Sequence, residues 1–280
     1  MIEVLRKASL VLTELERHGE LSAVELAALT DEPKTSVYRL LRSMQELDLV
    51  ERSTRRAAFR LGPKILELAS GVLRRYNVRE AAAPLLAWLH DDIGQTVYLM
   101  VRQSDRAVCV EKIDGKWVQI REISVGGSLP LHVGAAPRCL LAFEDRADWA
   151  EYIARQVDFA RRPRSPATAE ELREALEDVR SRGYAVADGE TVLGVAAVSA
   201  PVYDADGRVH AAISVSGPSP SLLGDHLGEM SEKVVRAASL TSEAMGSKGI
   251  PGHAGHPLPT GEGIPADALL AAARGFSTSQ

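Results

Sequence analysis

Apolar residues recur every three to four positions at the start of the chain, and further on they also gather into short strand-like runs. These two patterns predict a helical opening followed by a mixed region of helices and strands. In the first run Val4, Leu5, Ala8, Val11, Leu12 and Leu15 share one helical face over residues 4–17, and His18-Gly19 closes it. Ser22 stands three residues before Glu25, the spacing of a capping box, where hydroxyl and carboxylate each satisfy a backbone N–H at a helix start. Val24, Leu26, Ala27 and Leu29 carry that second helix to Thr30-Asp31. A third helix opens at Pro33, whose missing N–H costs nothing in a first turn, and runs to Leu47. Its predicted buried stripe is Val37, Leu40, Leu41, Met44 and Leu47, which leaves Lys34, Thr35, Ser36, Tyr38, Arg39 and Arg42 on or beside the outer face. Leu49-Val50-Glu51-Arg52 and Ala58-Phe59-Arg60-Leu61 then predict two short strands around the turn Ser53-Thr54-Arg55-Arg56. Three short helices and a hairpin make a winged helix-turn-helix over residues 1–62.

Gly62-Pro63 breaks the chain, and residues 63–76 predict a linker helix with Ile65, Leu66, Leu68, Ala69, Val72 and Leu73 on one side. Burying that stripe against a symmetric copy is the simplest solution. A second domain is predicted over 77–245. It opens with a helix at 79–92 and strands at Thr96–Arg102, Ala107–Ile113 and Trp117–Glu122. After the glycine-rich stretch Gly126–Pro130 come helices near 136–143, 147–156 and 168–182, and a strand at Gly183–Val186. Gly194–Tyr203 and Val209–Ser216 form a hairpin across Asp204-Ala205-Asp206-Gly207, and a helix over 221–245 ends the domain. The fold class is α+β, with an antiparallel sheet flanked by helices. Residues 246–280, rich in glycine and proline, read as a flexible tail with a weak helix at 266–274. His253 and His256 within it lack a third metal ligand.

Composition adds bounds. The chain has 280 residues, 45% of them hydrophobic and 25% charged, enough to bury two ordinary cores, and its 5% aromatics leave aliphatic side chains to fill them. No apolar run reaches the ~18–20 residues of a membrane span, and the first residues lack a signal-peptide core, so a cytoplasmic protein is expected. Two cysteines, Cys109 and Cys139, build no disulfide framework. Net charge is −5, which by itself argues against nucleic acid, yet residues 1–76 hold 13 Lys and Arg against 11 Asp and Glu. Five of those cations, Arg52, Arg55, Arg56, Arg60 and Lys64, fall in thirteen residues without an acid. A local basic patch suits a DNA-binding module or a solvated basic turn. Small hydroxyls and long cations on the third helix suit the major groove, while the hairpin, with Arg55 and Arg56, reaches the backbone. The competing reading is a three-helix module for protein contacts.

The chain resembles the IclR family of bacterial transcriptional regulators over about residues 1–245. The resemblance is carried by Leu21–Ala27, Pro33–Leu41, Arg60–Pro63, Leu129-Pro130-Leu131-His132, Leu140–Phe143 and Ala211–Pro218. It implies a winged helix-turn-helix joined by a helix to a GAF-like effector-binding domain, working as a homodimer or homotetramer. Organic acids or aromatic metabolites are the implied effectors. Two departures stand out: Pro137 replaces a family glycine and removes an N–H, and Ala187 and Ala197 occupy positions where one family site has an acidic residue and a cysteine.

In the second domain, the helix start after His132 favours a carboxylate through its free N–H groups and dipole. Gly134, Ala135, Ala136 and the N–H of Arg138 would hold it, with Ser214 and Ser216 two apart on one strand face and Asp188 and Glu190 nearby. The loop Gly189-Glu190-Thr191 would close over the ligand. Against this, the two serines can equally satisfy local backbone. His132 reads as a hydrogen-bonded structural residue, Cys139 as core filler and Trp117 as sheet packing. No Gly-x-Ser-x-Gly elbow, His-Glu-x-x-His helix, phosphate loop or Gly-x-Gly-x-x-Gly turn occurs, so no catalytic residue, metal or cofactor is expected.

Overall fold

The computed structural model describes residues 3–55, 57–73, 77–116, 123–155 and 164–247. The chain divides into two compact units, Met1–Arg75 and Tyr76–Gln280.

The first unit runs α1 (Glu3–His18), β1 (Glu20–Ser22), α2 (Ala23–Thr30), α3 (Lys34–Glu46), β2 (Val50–Arg52), β3 (Ala58–Leu61) and α4 (Pro63–Leu73). Val11 and Leu15 of α1, Leu26 of α2, Val37, Leu41 and Met44 of α3, and Val50 and Phe59 form one core. The capping box at α2 is complete: the Ser22 hydroxyl accepts from the Glu25 N–H, and the Glu25 carboxylate accepts from the Ser22 N–H. The small sheet is antiparallel in the order β1-β3-β2, with Glu20 and Glu51 both opposite Arg60. Three residues immediately before a helix cap show no period, so the pattern of the chain does not reveal β1.

Two expectations about burial fail. Leu47 lies past the end of α3 as its C-cap, leaves the helical phase, and is 62% exposed. Val4 and Leu5 are equally exposed, because the contribution of α1 to the core begins at Ala8. Gly62 marks a close approach of backbone to backbone: a Cβ there would lie 2.2 Å from the carbonyl oxygen of Asp48. The Gly62 N–H donates to Leu49 O at 2.9 Å, which fixes how α4 leaves the hairpin.

The second unit runs α5 (Asn77–Ile93), β4 (Thr96–Gln103), β5 (Arg106–Ile113), β6 (Ser128–Pro130), α6 (Ala135–Ala142), α7 (Arg146–Arg155) and α8 (Ala169–Arg182). It continues with β7 (Ala185–Asp188), β8 (Val195–Tyr203), β9 (Val209–Pro218), α9 (Ser219–Leu222), a 3-10 turn at Gly224–His226 and α10 (Leu227–Ala244). Its six strands form one antiparallel sheet in the order β6-β5-β4-β9-β8-β7. Side chains alternate faces along each strand. Tyr98, Met100, Cys109, Ala187 and Ala212 point to one face and pack with α6, α7 and α8. α5 and α10 pack against the other face.

The expected helix over 221–245 is broken, with Gly224 at φ 64° between α9 and α10. β6 occupies part of the glycine-rich stretch, which the sequence pattern alone does not mark as a strand. The predicted strand Trp117–Glu122, the packing of Trp117, Arg56, and His253 and His256 lie outside the described residues.

Candidate functional site

α3 presents Lys34, Thr35, Tyr38, Arg39 and Arg42 to solvent, with Ser36 half-buried. Its first turn contains no acidic residue, so no carboxylate within that turn opposes an approaching phosphate. Arg42 leans toward Glu46 at 3.6 Å, both being highly exposed, whereas Lys34 and Arg39 make no ion pair among the described residues.

The hairpin cations are arranged differently. The fold brings carboxylates to them from outside the acid-free window: Glu25 to Arg55 at 2.8 Å, Glu51 to Arg60 at 2.6 Å and Glu67 to Lys64 at 2.7 Å. Arg52 lies over the Phe59 ring at 4.5 Å. The capping-box hydrogen bonds from Ser22, with Arg55 beside them, hold the Glu25 carboxyl down at about 2, and Glu25 in turn raises the Arg55 guanidinium. The linear basic run is thus a partly neutralised surface, and α3 carries the uncompensated positive charge.

In the second unit a small, partly open cavity of about 40 Å³ lies between the start of α6 and the sheet. Gly134, Ala135, Ala136, Glu190, Ser214 and Ser216 all line it, as do Ala187 and Ala197. Apolar groups from Tyr98, Met100, Ile123, Leu129 and Val195 complete most of the wall. Asp188 does not line it. Ala187 faces the cavity, so its neighbour on β7 must point away, and Asp188 instead accepts from Ser219 Oγ at 2.5 Å and Arg164 Nη1 at 3.3 Å.

The second correction concerns the helix start. The Gly134 N–H, expected to be open to an effector carboxylate, donates to Glu190 Oε2 at 2.9 Å. The same oxygen accepts from Arg138 Nη1 at 2.5 Å and Ser165 Oγ at 3.1 Å. Arg138 Nη2 donates to Val186 O at 2.7 Å. Both charged side chains are only 5% exposed. Gly134 itself sits at φ 87°, a conformation that favours glycine and turns the chain into α6. This pair is 52 residues apart in sequence, and no local pattern announces it.

Ser214 lines the cavity, and its Oγ donates to Val198 O at 3.3 Å, so its hydroxyl serves the sheet. His132 Nδ1 lies 2.7 Å from Tyr152 Oη, and the His132 N–H donates to that oxygen at 3.3 Å, away from the cavity lining. Burial pushes the Tyr152 hydroxyl and the Cys109 thiol up to about 12, and raises the Cys139 thiol as well. Both thiols are inert packing groups.

A winged helix-turn-helix with free cations on its third helix, on one chain with an α+β domain that holds a partly open cavity beside its sheet, is the architecture of a ligand-responsive DNA-binding regulator. Residues 4–54 match the IclR helix-turn-helix domain, and residues 70–243 match the bacterial transcriptional regulator IclR C-terminal domain. The chain belongs to the IclR family, a family of transcriptional regulators rather than enzymes. It is 30% identical over 239 residues to the HTH-type transcriptional regulator KipR of Bacillus subtilis, covering 85% of this chain and 95% of that one. Identity to the transcriptional repressor IclR of Escherichia coli is 28% over 233 residues, with 82% and 85% covered. The crystal structure of IclR from Thermotoga maritima superposes with a TM-score of 0.69 at 26% identity, covering 88% of this chain and all of that one. An IclR homologue from Microbacterium hydrocarbonoxydans, complexed with 4-hydroxybenzoate, shares the fold with a TM-score of 0.74 at 21% identity over 87% of this chain and 99% of that one. Among the described residues no helix is long and apolar enough to cross a membrane.

Proposed function

We propose that this regulator works in the cytoplasm as a homodimer, alone or paired into a tetramer, that sets two winged domains on the half-sites of a palindromic operator. Lys34, Thr35, Ser36, Tyr38, Arg39 and Arg42 meet base edges and phosphates in the major groove, and Arg55 and Arg56 anchor the wing on the backbone. The observation that carries this reading is the unopposed charge on the exposed start of α3. Leu66 and Leu68 of α4, 72% and 55% exposed, support a second copy as their cover.

A small organic effector enters the cavity beside α6, bordered by Gly134, Ala135, Ala136, Glu190, Ser214 and Ser216, and shifts the geometry of the two readers through the linker helix. Such coupling requires different effector affinities in the DNA-bound and free conformations. Titrating effector into protein with and without operator tests it: the affinities differ by the coupling factor, and equal affinities overturn the mechanism. Sedimentation of Leu66→Lys/Leu68→Lys tests the assembly, with a shift toward monomer expected and an unchanged mass contradicting the assigned interface.

A further inference from the structure

Taking the cavity beside α6 as the effector site, we infer that its ligand is an uncharged, largely apolar molecule with one or two hydrogen-bonding groups, and not a carboxylate. Glu190 is the single charged residue in the described lining, and it is negative. Its cationic partner, Arg138, is buried and spends Nη1 on Glu190 and Nη2 on Val186 O. An anion entering here meets no free cation among the described lining residues and faces the carboxylate that already holds the helix start.

Displacing Glu190 is no easy route either. Its Oε2 gathers donors from Gly134, Arg138 and Ser165, so eviction would strip three hydrogen bonds from a buried charge. Pro137 contributes no N–H to the first turn, which reduces the donors left for a second carboxylate. The alanines at 187 and 197 add apolar wall where longer polar side chains would have offered hydrogen bonds. What remains for recognition is neutral. Ser216 and Thr191 line the cavity and make no intramolecular side-chain hydrogen bond among the described residues, and Ser214, which donates to Val198 O, lines it too. A mostly apolar wall with a few convergent polar groups selects a neutral molecule, because a charge would lose its hydration without replacement. A cation would lose its hydration as well, since Glu190 Oε2 is already spent on three donors.

The test needs no knowledge of the natural effector. Ala197→Cys and Ser216→Cys each place a thiol on the cavity wall of the full chain, and the buried Cys109 and Cys139 provide an inert background checked on the unsubstituted protein. Each thiol is treated with three methanethiosulfonates of similar size: propyl (neutral), sulfonatoethyl (anionic) and trimethylammonioethyl (cationic). Rates are normalised to the same reagents acting on free 2-mercaptoethanol. The neutral reagent is expected to be fastest and the anionic one slower by about tenfold, a modest charge effect at these distances. Adding Glu190→Gln removes the negative charge, leaves Arg138 uncompensated, and turns the preference toward the anion. An anionic reagent as fast as the neutral one, or a cationic reagent faster than it, overturns the inference while leaving the cavity as an open site. Failure of all three reagents at both positions shows a closed cavity, and then the effector-site reading falls together with the inference.

Discussion

Two helix starts in this chain, those of α3 and α6, combine backbone N–H groups with a nearby cation and come to opposite ends. At α3 the cations Lys34 and Arg39 stand exposed and carry no carboxylate partner among the described residues. At α6 the cation is Arg138, buried against Glu190, and the same carboxylate takes the Gly134 N–H. The first arrangement leaves positive potential for an external anion, and the second consumes it inside the fold. A helix start is therefore a site only when no side chain of the protein arrives first. The hairpin stands between these extremes, since Arg55, Arg60 and Lys64 are paired but exposed, where solvent weakens each pair and a phosphate can compete.

The largest expected effect lies at the internal pair. Arg138→Met strands the Glu190 carboxylate in a buried site and should destabilise the second unit by about 3–5 kcal/mol in urea unfolding. Arg138→Met/Glu190→Leu should recover much of that loss, and a double variant no more stable than the single one would show that the pair is not the cause. In the first unit Gly62→Ala drives a Cβ into the Asp48 carbonyl and should cost roughly 2 kcal/mol or more, in the unfolding of the winged unit. An unchanged transition would mean that the junction between β3 and α4 yields freely.

The smallest effect is a pH dependence. Glu25 is held at about 2 against an ordinary 4.5, so its contribution is present above 4.5 and disappears as pH falls from there toward 2. Thermal melts of Glu25→Gln should therefore lie below those of the unsubstituted chain at pH 6 and converge with them near pH 2. A constant offset across that range would remove the capping box as the source.

What could be read from the chain alone follows from how far apart the interacting residues are. The Ser22–Glu25 cap and the outward face of α3 depend on spacings of three and four residues, and both were legible. The short apolar runs of β4, β8 and β9, set among helical stretches, indicated the α+β class, helped by the family resemblance. Most of the cavity lining was legible too, because Ser214 and Ser216 share a strand face and Gly134–Ala136 open a helix. Asp188 was misplaced because the phase of β7 shows only once Ala187 is seen facing inward. The pairs Glu25–Arg55 and Arg138–Glu190, 30 and 52 residues apart, are set by tertiary packing and leave no local trace. Those pairs decide which cations remain free, so charge along the chain overstated the hairpin and missed the closure at α6.

The claim that matters most is that the free charge of α3 meets DNA, and its most direct test is the salt dependence of binding to a duplex by fluorescence anisotropy. The intact protein should bind with a steep fall of log K against log salt, and Lys34→Ala and Arg39→Ala should each flatten that slope by about 0.9 for every phosphate left without its cation. A slope that neither substitution changes, with affinity equally unaffected, would contradict the assignment.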